Sequence, residues 1–197
     1  MTTSREEARE DGPLGIEALY ALFDRLAIPY AHHDHPPFFT VADSKGLRDE
    51  HPGAHVKNMF LKGKKGDLWL VTCLEDRAIR IRDLEKALGA KGLSFGKSEL
   101  LWEHLGVLPG AVTPFALIND RAGAVRFAID AGVLAAEVIN AHPLHNEATT
   151  AIAAADLQRF LEAVGHRATV VDFDALEEAA AAHRAAQAGA EGGSGAA

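Results

Sequence analysis

"HVKNMFLKGKKGDLWLVTCL", residues 55–74, decides the fold. Two apolar runs, VKNMFL and DLWLVTCL, flank a short connection rich in glycine and lysine, and that order predicts a β-hairpin. Side chains alternate across a strand, so Val56, Asn58 and Phe60 are expected on one face and Lys57, Met59 and Leu61 on the other. A lysine among apolar neighbours either snorkels to solvent at a sheet edge or holds an anion at the mouth of a cleft. The hairpin carries Lys57, Lys62, Lys64 and Lys65 before its first acid, in a chain whose net charge is −8.

Working outward, Ile16, Leu19, Tyr20, Phe23 and Leu26 recur at helical spacing and Pro29 stops them. YAHHDH reads as a short strand before the Pro36-Pro37 turn, and Thr40 with Asp43 has the form of a capping box for a helix of one or two turns. Beyond the hairpin, a strand is expected around Ala78–Ile81, then the helix DLEKALG with its glycine stop. Ser98 is placed to cap ELLWEHLG. FALIN and VRFAID, joined by Asp120-Arg121-Ala122-Gly123, read as a second hairpin. EVINAHPLHN and EATTAIA are further strand candidates, followed by a helix over AADLQRFLEAVG and a last strand, ATVVDF. Helices interleaved with hairpins predict one α/β (α+β) domain, a mixed and mainly antiparallel sheet with flanking helices. Residues 1–12 are expected as a disordered lead, 13–175 as the domain, and 176–197 as a flexible tail rich in Ala and Gly.

The composition fits this. With 197 residues, 48% of them hydrophobic, the chain suffices for one good core and is short for two. No run is long and apolar enough for a membrane span, and MTTSREEARE lacks the apolar segment of a secretory signal, so a cytoplasmic location is expected. The single cysteine, Cys73, lies inside LWLVTCL, where a small core residue is the simplest reading. The two ends, residues 1–11 and 177–197, account for half of the net negative charge. Any RNA contact must therefore be local, through a patch such as the hairpin.

Three further stretches hold candidate chemistry. In LPGAVTPFAL, Gly110 and Pro114 bracket a loop whose backbone N–H groups could face a developing oxyanion, although an ordinary turn has the same spelling. In AHPLHNEATT, His142 and His145 stand three apart, but Pro143 and the β-branched residues beyond argue against a helical metal site and for a histidine lining a pocket or satisfied in the core. HHDHPP offers His32, His33, His35 and Asp34, with no further group at a spacing that completes a site. There is no G-x-S-x-G elbow, no H-E-x-x-H string and no local signature around the cysteine. A hydrolase built from this sequence must borrow part of its chemistry from the substrate.

Taken in order, VKNMFL, GAVTPFALIND and NAHPLHNEATTAI resemble the YbaK and prolyl-tRNA synthetase-associated editing domains, which deacylate mischarged tRNA; the likeness runs from about Gly15 to Phe173. VKNMFLK and HPLHNEATT look closer to the branch that removes alanine from tRNA(Pro), the ProXp-ala-like one, than to the branch that removes cysteine. The resemblance implies the fold of those editing domains and a trans-editing deacylase acting on Ala-tRNA(Pro) without a metal or other cofactor. Lys57 then matches the family's functional lysine and Gly110 the loop that positions the ester and a water, while Asn58, Ala111, Val112, Thr113, Pro114, His142 and Asn146 match residues around the bound aminoacyl end. Lys62, Lys64 and Lys65 would follow the RNA backbone. The implied partners are the acceptor stem of tRNA(Pro) and prolyl-tRNA synthetase, with no DNA or membrane. A Cys-tRNA(Pro) deacylase, a tRNA-binding or synthetase-binding module without catalysis, and a histidine metallohydrolase remain the alternatives.

Overall fold

The computed structural model describes residues 12–37 and 51–192. Helix α1, Ile16–Arg25, turns Leu19, Leu22 and Phe23 inward, as its spacing requires. β1, Tyr30–Asp34, follows; the capping box of Thr40 and Asp43 lies outside the described residues. The opening hairpin forms as β2, Ala54–Lys62, and β3, Leu68–Leu74. In its antiparallel register Lys57 faces Cys73 and Asn58 faces Thr72. α2, Ile81–Leu88, ends at Gly89 in the left-handed conformation. β4, Ser94–Phe95, is two residues long, and α3, Ser98–Leu105, begins directly after Lys97. A 3-10 helix covers Pro114–Asn119. Then come β5, Val125–Asp130, the single turn α4, Ala131–Leu134, β6, Val138–Ala141, and β7, Ala148–Ala153. α5, Ala154–Ala163, β8, Ala168–Val171, and α6, Phe173–Gly192, complete the order.

Several elements differ from the reading of the sequence. FALIN is not a strand, so the second hairpin does not exist. Pro114 fixes φ in the first turn, Phe115 N donates to Thr113 Oγ1 at 3.4 Å, and Pro114, Phe115, Ala116 and Leu117 are all buried. A segment enclosed on every side loses the periodicity that separates helix from strand. Ala78 to Arg80 form no strand, because β2 and β5 already occupy the two edges of β3. Ser98 is the first helical residue of α3 and not its cap; Lys97 stands in that position with no capping side chain. The segment from Leu176, expected as a tail, is helical to Gly192.

The strands join one sheet in the order β1-β7-β6-β2-β3-β5-β8, with β4 beside β2. Among the described residues four pairings are antiparallel and three parallel. Helices cover both faces. Phe60, Leu70, Phe127 and Ile139 meet α1, α3, the 3-10 helix and α5 on one face. Leu61, Trp69, Val71 and Cys73 meet α2 and the start of α6 on the other. The alternation predicted for β2 therefore sorts its side chains into two separate cores. Phe23, Phe115 and Phe160 pack edge to face at centroid distances of 5.3, 5.6 and 5.8 Å, each pair adding about 0.5–1.5 kcal/mol beyond its burial.

Candidate active site at the split in the sheet

β2 is shared between two groups of strands, and the sharing leaves a gap. Its outer edge pairs in parallel with β6 only at Ala54–Ile139 and His55–Asn140, and with β4 only at Leu61–Phe95 and Lys62–Ser94. From Val56 to Phe60 that edge meets no strand among the described residues, and Asn58 lies at its middle. Thr72 Oγ1 donates to Asn58 Oδ1 at 2.6 Å, which holds the carboxamide with its Nδ2 donors turned away from Thr72.

β6 leaves the sheet because Pro143 has no N–H to continue the ladder. The loop of residues 142–147 carries Leu144 at φ 72°, a conformation uncommon for a bulky side chain, and that side chain packs against the larger core. His142, half-buried, bonds through Nδ1 to the Ala148 carbonyl at 3.0 Å. A carbonyl only accepts, so Nδ1 holds the proton and the Nε2 lone pair is left for another donor. Burial pushes the His142 pKa down, His35 and His145 push the same way, and the Ala148 bond and Glu75 oppose them. The ring is therefore neutral at pH 7. His35 stands 6.0 Å from it, ring to ring, bonded to the Pro36 carbonyl at 2.8 Å and to Thr149 Oγ1 at 2.9 Å. His145 turns back to its own loop, where Nδ1 accepts from Glu147 N at 3.3 Å.

The loop before the 3-10 helix meets this turn. Gly110 is exposed at φ 93°, and a β-carbon there would lie 3.5 Å from Asn146 Nδ2. Ala111 N donates to the Leu108 carbonyl at 3.0 Å, Val112 is half-buried, and Ala111, Thr113 and Pro114 are buried beneath. The structure thus brings Gly110 to Asn146, and His142 shares Asn146's loop. β2 and β6 pair in parallel as far as His55–Asn140, two residues before Lys57 on one strand and two before His142 on the other.

Lys57 is held on the other face of the sheet from Asn58. Its ammonium donates to the Arg77 carbonyl. The Arg77 guanidinium in turn binds the fully buried Asp130 at 2.9 Å and pairs with Asp174 and Glu177 of α6; the bonds to Asp174 and then Asp130 hold its pKa above the usual arginine value, against the pull of burial. Cys73, fully buried beside Lys57, has its thiol pushed up to about 12 by burial, with Lys57 opposing, and is a core residue without nucleophilic character at pH 7. Lys62, Lys64 and Lys65 are exposed at the opposite end of β2. Two cavities of about 580 and 1000 Å³ lie elsewhere, between α2 and α6 and between α3 and the end of the 3-10 helix, and neither is lined by a residue expected at the site. Among the described residues no three His, Cys, Asp or Glu side chains converge as a metal ion would need, and no helix is long and apolar enough to cross a membrane.

Sequence reasoning missed Thr72 and Arg77, and weighed His35 only as a possible metal ligand. Thr72 was within reach, since a hairpin closing at Lys62 and Leu68 sets it opposite Asn58. The Arg77 carbonyl leaves no such signal, being a main-chain atom 20 residues away from Lys57.

The profile of the aminoacyl-tRNA editing domain family matches residues 35–160. The chain is 37% identical over 163 residues to the prolyl-tRNA synthetase associated domain-containing protein 1 of Xenopus laevis, covering 80% of this chain and 96% of that protein. The Bos taurus protein of the same name is 38% identical over 168 residues, with 81% and 98% covered. The prolyl-tRNA editing protein ProX of Acetoanaerobium sticklandii is 29% identical over 158 residues, with 80% and 96% covered. A solved structure described as a candidate trans-editing enzyme for prolyl tRNA synthetase superposes with TM-score 0.61 at 16% identity over 80% of this chain and 94% of that one, which is a likeness of fold. On this sequence and this fold, the chain belongs to the aminoacyl-tRNA editing domain family.

Proposed function

We propose that the protein is a trans-editing deacylase that hydrolyses the ester of mischarged tRNA(Pro), with Ala-tRNA(Pro) as its substrate. The observations that carry this reading are the open edge of β2 around Asn58 and, on the loop after β6, the approach of Asn146 to Gly110 beside His142, whose Nδ1 is taken by the Ala148 carbonyl. In it, the amides of Gly110, Val112 and Thr113 face the ester carbonyl, Asn58 Nδ2 and His142 Nε2 hold polar groups of the aminoacyl end, and Ala111, Val112, Thr113 and Pro114 wall it. Lys57 neutralises the phosphate next to the terminal adenosine. Water adds to the carbonyl carbon, the amides stabilise the oxyanion, and the bond from that carbon to the ribose oxygen breaks. One water proton passes to the departing oxygen, helped by the adjacent ribose hydroxyl, and the other is released as the amino acid leaves as a carboxylate. Every group the step needs comes from the substrate, the solvent or these side chains and amides, with no bound metal.

Selectivity in this reading is steric. A pocket that accepts proline rejects alanine poorly, since one methylene is worth about 1–3 kcal/mol. A second pocket too small for the pyrrolidine ring reverses the test. Purified protein should release alanine from tRNA(Pro) rapidly and leave the prolyl ester intact. Rapid loss of the prolyl ester refutes the reading, and preference for the cysteinyl ester assigns the chain to the cysteine branch. One observation favours a binding module without catalysis, namely that the Lys57 ammonium already rests on the Arg77 carbonyl. Absence of any release, with RNA binding retained, would establish it.

A further inference from the structure

Residues that are far apart in sequence raise a second basic surface at the closed end of the hairpin. Lys64 N donates to the Lys91 carbonyl at 2.9 Å, and a β-carbon on Gly92 would come within 2.9 Å of Lys64 Cβ, so the 63–67 turn and the 89–93 turn are in contact. Lys62 pairs with Ser94 in β4, and Lys97 follows two residues after Phe95. Lys62, Lys64, Lys65, Lys91 and Lys97 are all exposed, and none has an ion pair among the described residues. The acids at hand are turned to other duties. Asp67 Oδ2 accepts from Trp69 Nε1 at 3.0 Å, and Glu85 Oε1 accepts from Leu93 N at 2.7 Å. Beside the lysines stands Phe95, 68% exposed on a strand only two residues long.

We propose that this end of the sheet is a landing surface for the end of an RNA duplex, with the lysines on phosphates and Phe95 stacked on the terminal base. Uncompensated lysines around an exposed aromatic ring are the chemistry that binds a phosphate backbone and a base together. The spacing fits the editing reading, on which this proposal rests. From Lys57 to Lys62 is five strand residues, about 17 Å. An unpaired 3′ tail of about four nucleotides, stacked at about 3.4 Å each, spans about 14 Å. An ester at the split in the sheet therefore leaves the first base pair of the stem at the lysines.

The test is fluorescence anisotropy with an unacylated acceptor-stem duplex carrying a single-stranded 3′ tail, over a salt series, beside alanine release from a short alanylated oligonucleotide that has the tail alone. The combined variant Lys64→Gln, Lys65→Gln and Lys91→Gln should bind the duplex at least tenfold more weakly and lower the slope of log affinity against log salt by about 2–3. Its activity on the short oligonucleotide should be unchanged. Phe95→Leu should weaken binding severalfold without changing the slope, and should abolish the quenching of 2-aminopurine at the last base of the stem. Duplex binding unaltered in the lysine variant, an equal loss on the short oligonucleotide, or equally tight binding to anionic lipid vesicles overturns the proposal. If the wild type releases no amino acid from any substrate yet binds the duplex through these lysines, the editing reading falls and this surface stands.

Discussion

Replacing Gly110 by alanine tests the loop on which the proposed chemistry depends. The added methyl group has room, since 3.5 Å to Asn146 Nδ2 is an ordinary contact. The cost lies in the backbone. At φ 93° an L-residue with a β-carbon is strained by about 1–2 kcal/mol. The protein can answer in two ways. If the loop holds its shape, the strain appears as about 1–2 kcal/mol of lost unfolding free energy, read from urea titration. If it relaxes, φ shifts, the bond from Ala111 N to the Leu108 carbonyl is disturbed, and the amides of Gly110, Val112 and Thr113 lose their aim. Loss of one aligned oxyanion donor is worth about 2.7–4 kcal/mol, so kcat/KM for alanine release from tRNA(Pro) should then fall about a hundredfold to a thousandfold. Asn146→Ala removes the neighbouring amide without straining the main chain and serves as the control for contact alone. Unchanged stability together with unchanged release in Gly110→Ala would refute the reasoning.

Lys57→Ala should abolish alanine release while circular dichroism and the melting temperature show a folded protein; full turnover in this variant removes the lysine from the site. Arg77→Ala leaves the fully buried Asp130 with only the amides of Leu74 and Gly132, and should cost about 3 kcal/mol or more by urea unfolding. His142 gives a pH signature. Burial sets its folded pKa below the unfolded value of about 6.5, so the unfolded chain binds the extra proton first, and the stabilising contribution, complete above that value, is lost as pH falls below it. His142→Gln should lose less stability than wild type between pH 7 and pH 5, and identical pH profiles would count against the assignment. Incubation with a chelator followed by a deacylation assay should leave the rate unaltered; a loss restored by added zinc would return the metallohydrolase reading.

The sheet was legible wherever one face of a strand differs from the other. Alternation in VKNMFL foretold which side chains of β2 join which core, and the glycine stops of α2 and α3 stand where the sequence sets them. It failed where burial is complete. Pro114 to Leu117 are enclosed all round, and an apolar run without a polar face reads as a strand as easily as a helix. The helix after Val171 was illegible for the opposite reason, because an alanine-rich segment shows no apolar stripe, although Phe173 and Leu176 tie its first turn to the smaller core. For the site, the ordered motifs carried the information. Gly110 and Asn146 do meet, whereas Lys57 faces away from Asn58, and its partner is a carbonyl that no residue type announces.

The seam between β2 and β6 is laced by two residue pairs, yet the strands on either side of it contribute to one continuous interior. How far the two halves stand apart is governed by the bulk of Ile139, Ile152 and their neighbours far more than by the main-chain ladder. A shift from Ile139 to valine, remote from any cargo, would thus reset the aperture, and lineages could retune what they admit through residues that never touch it.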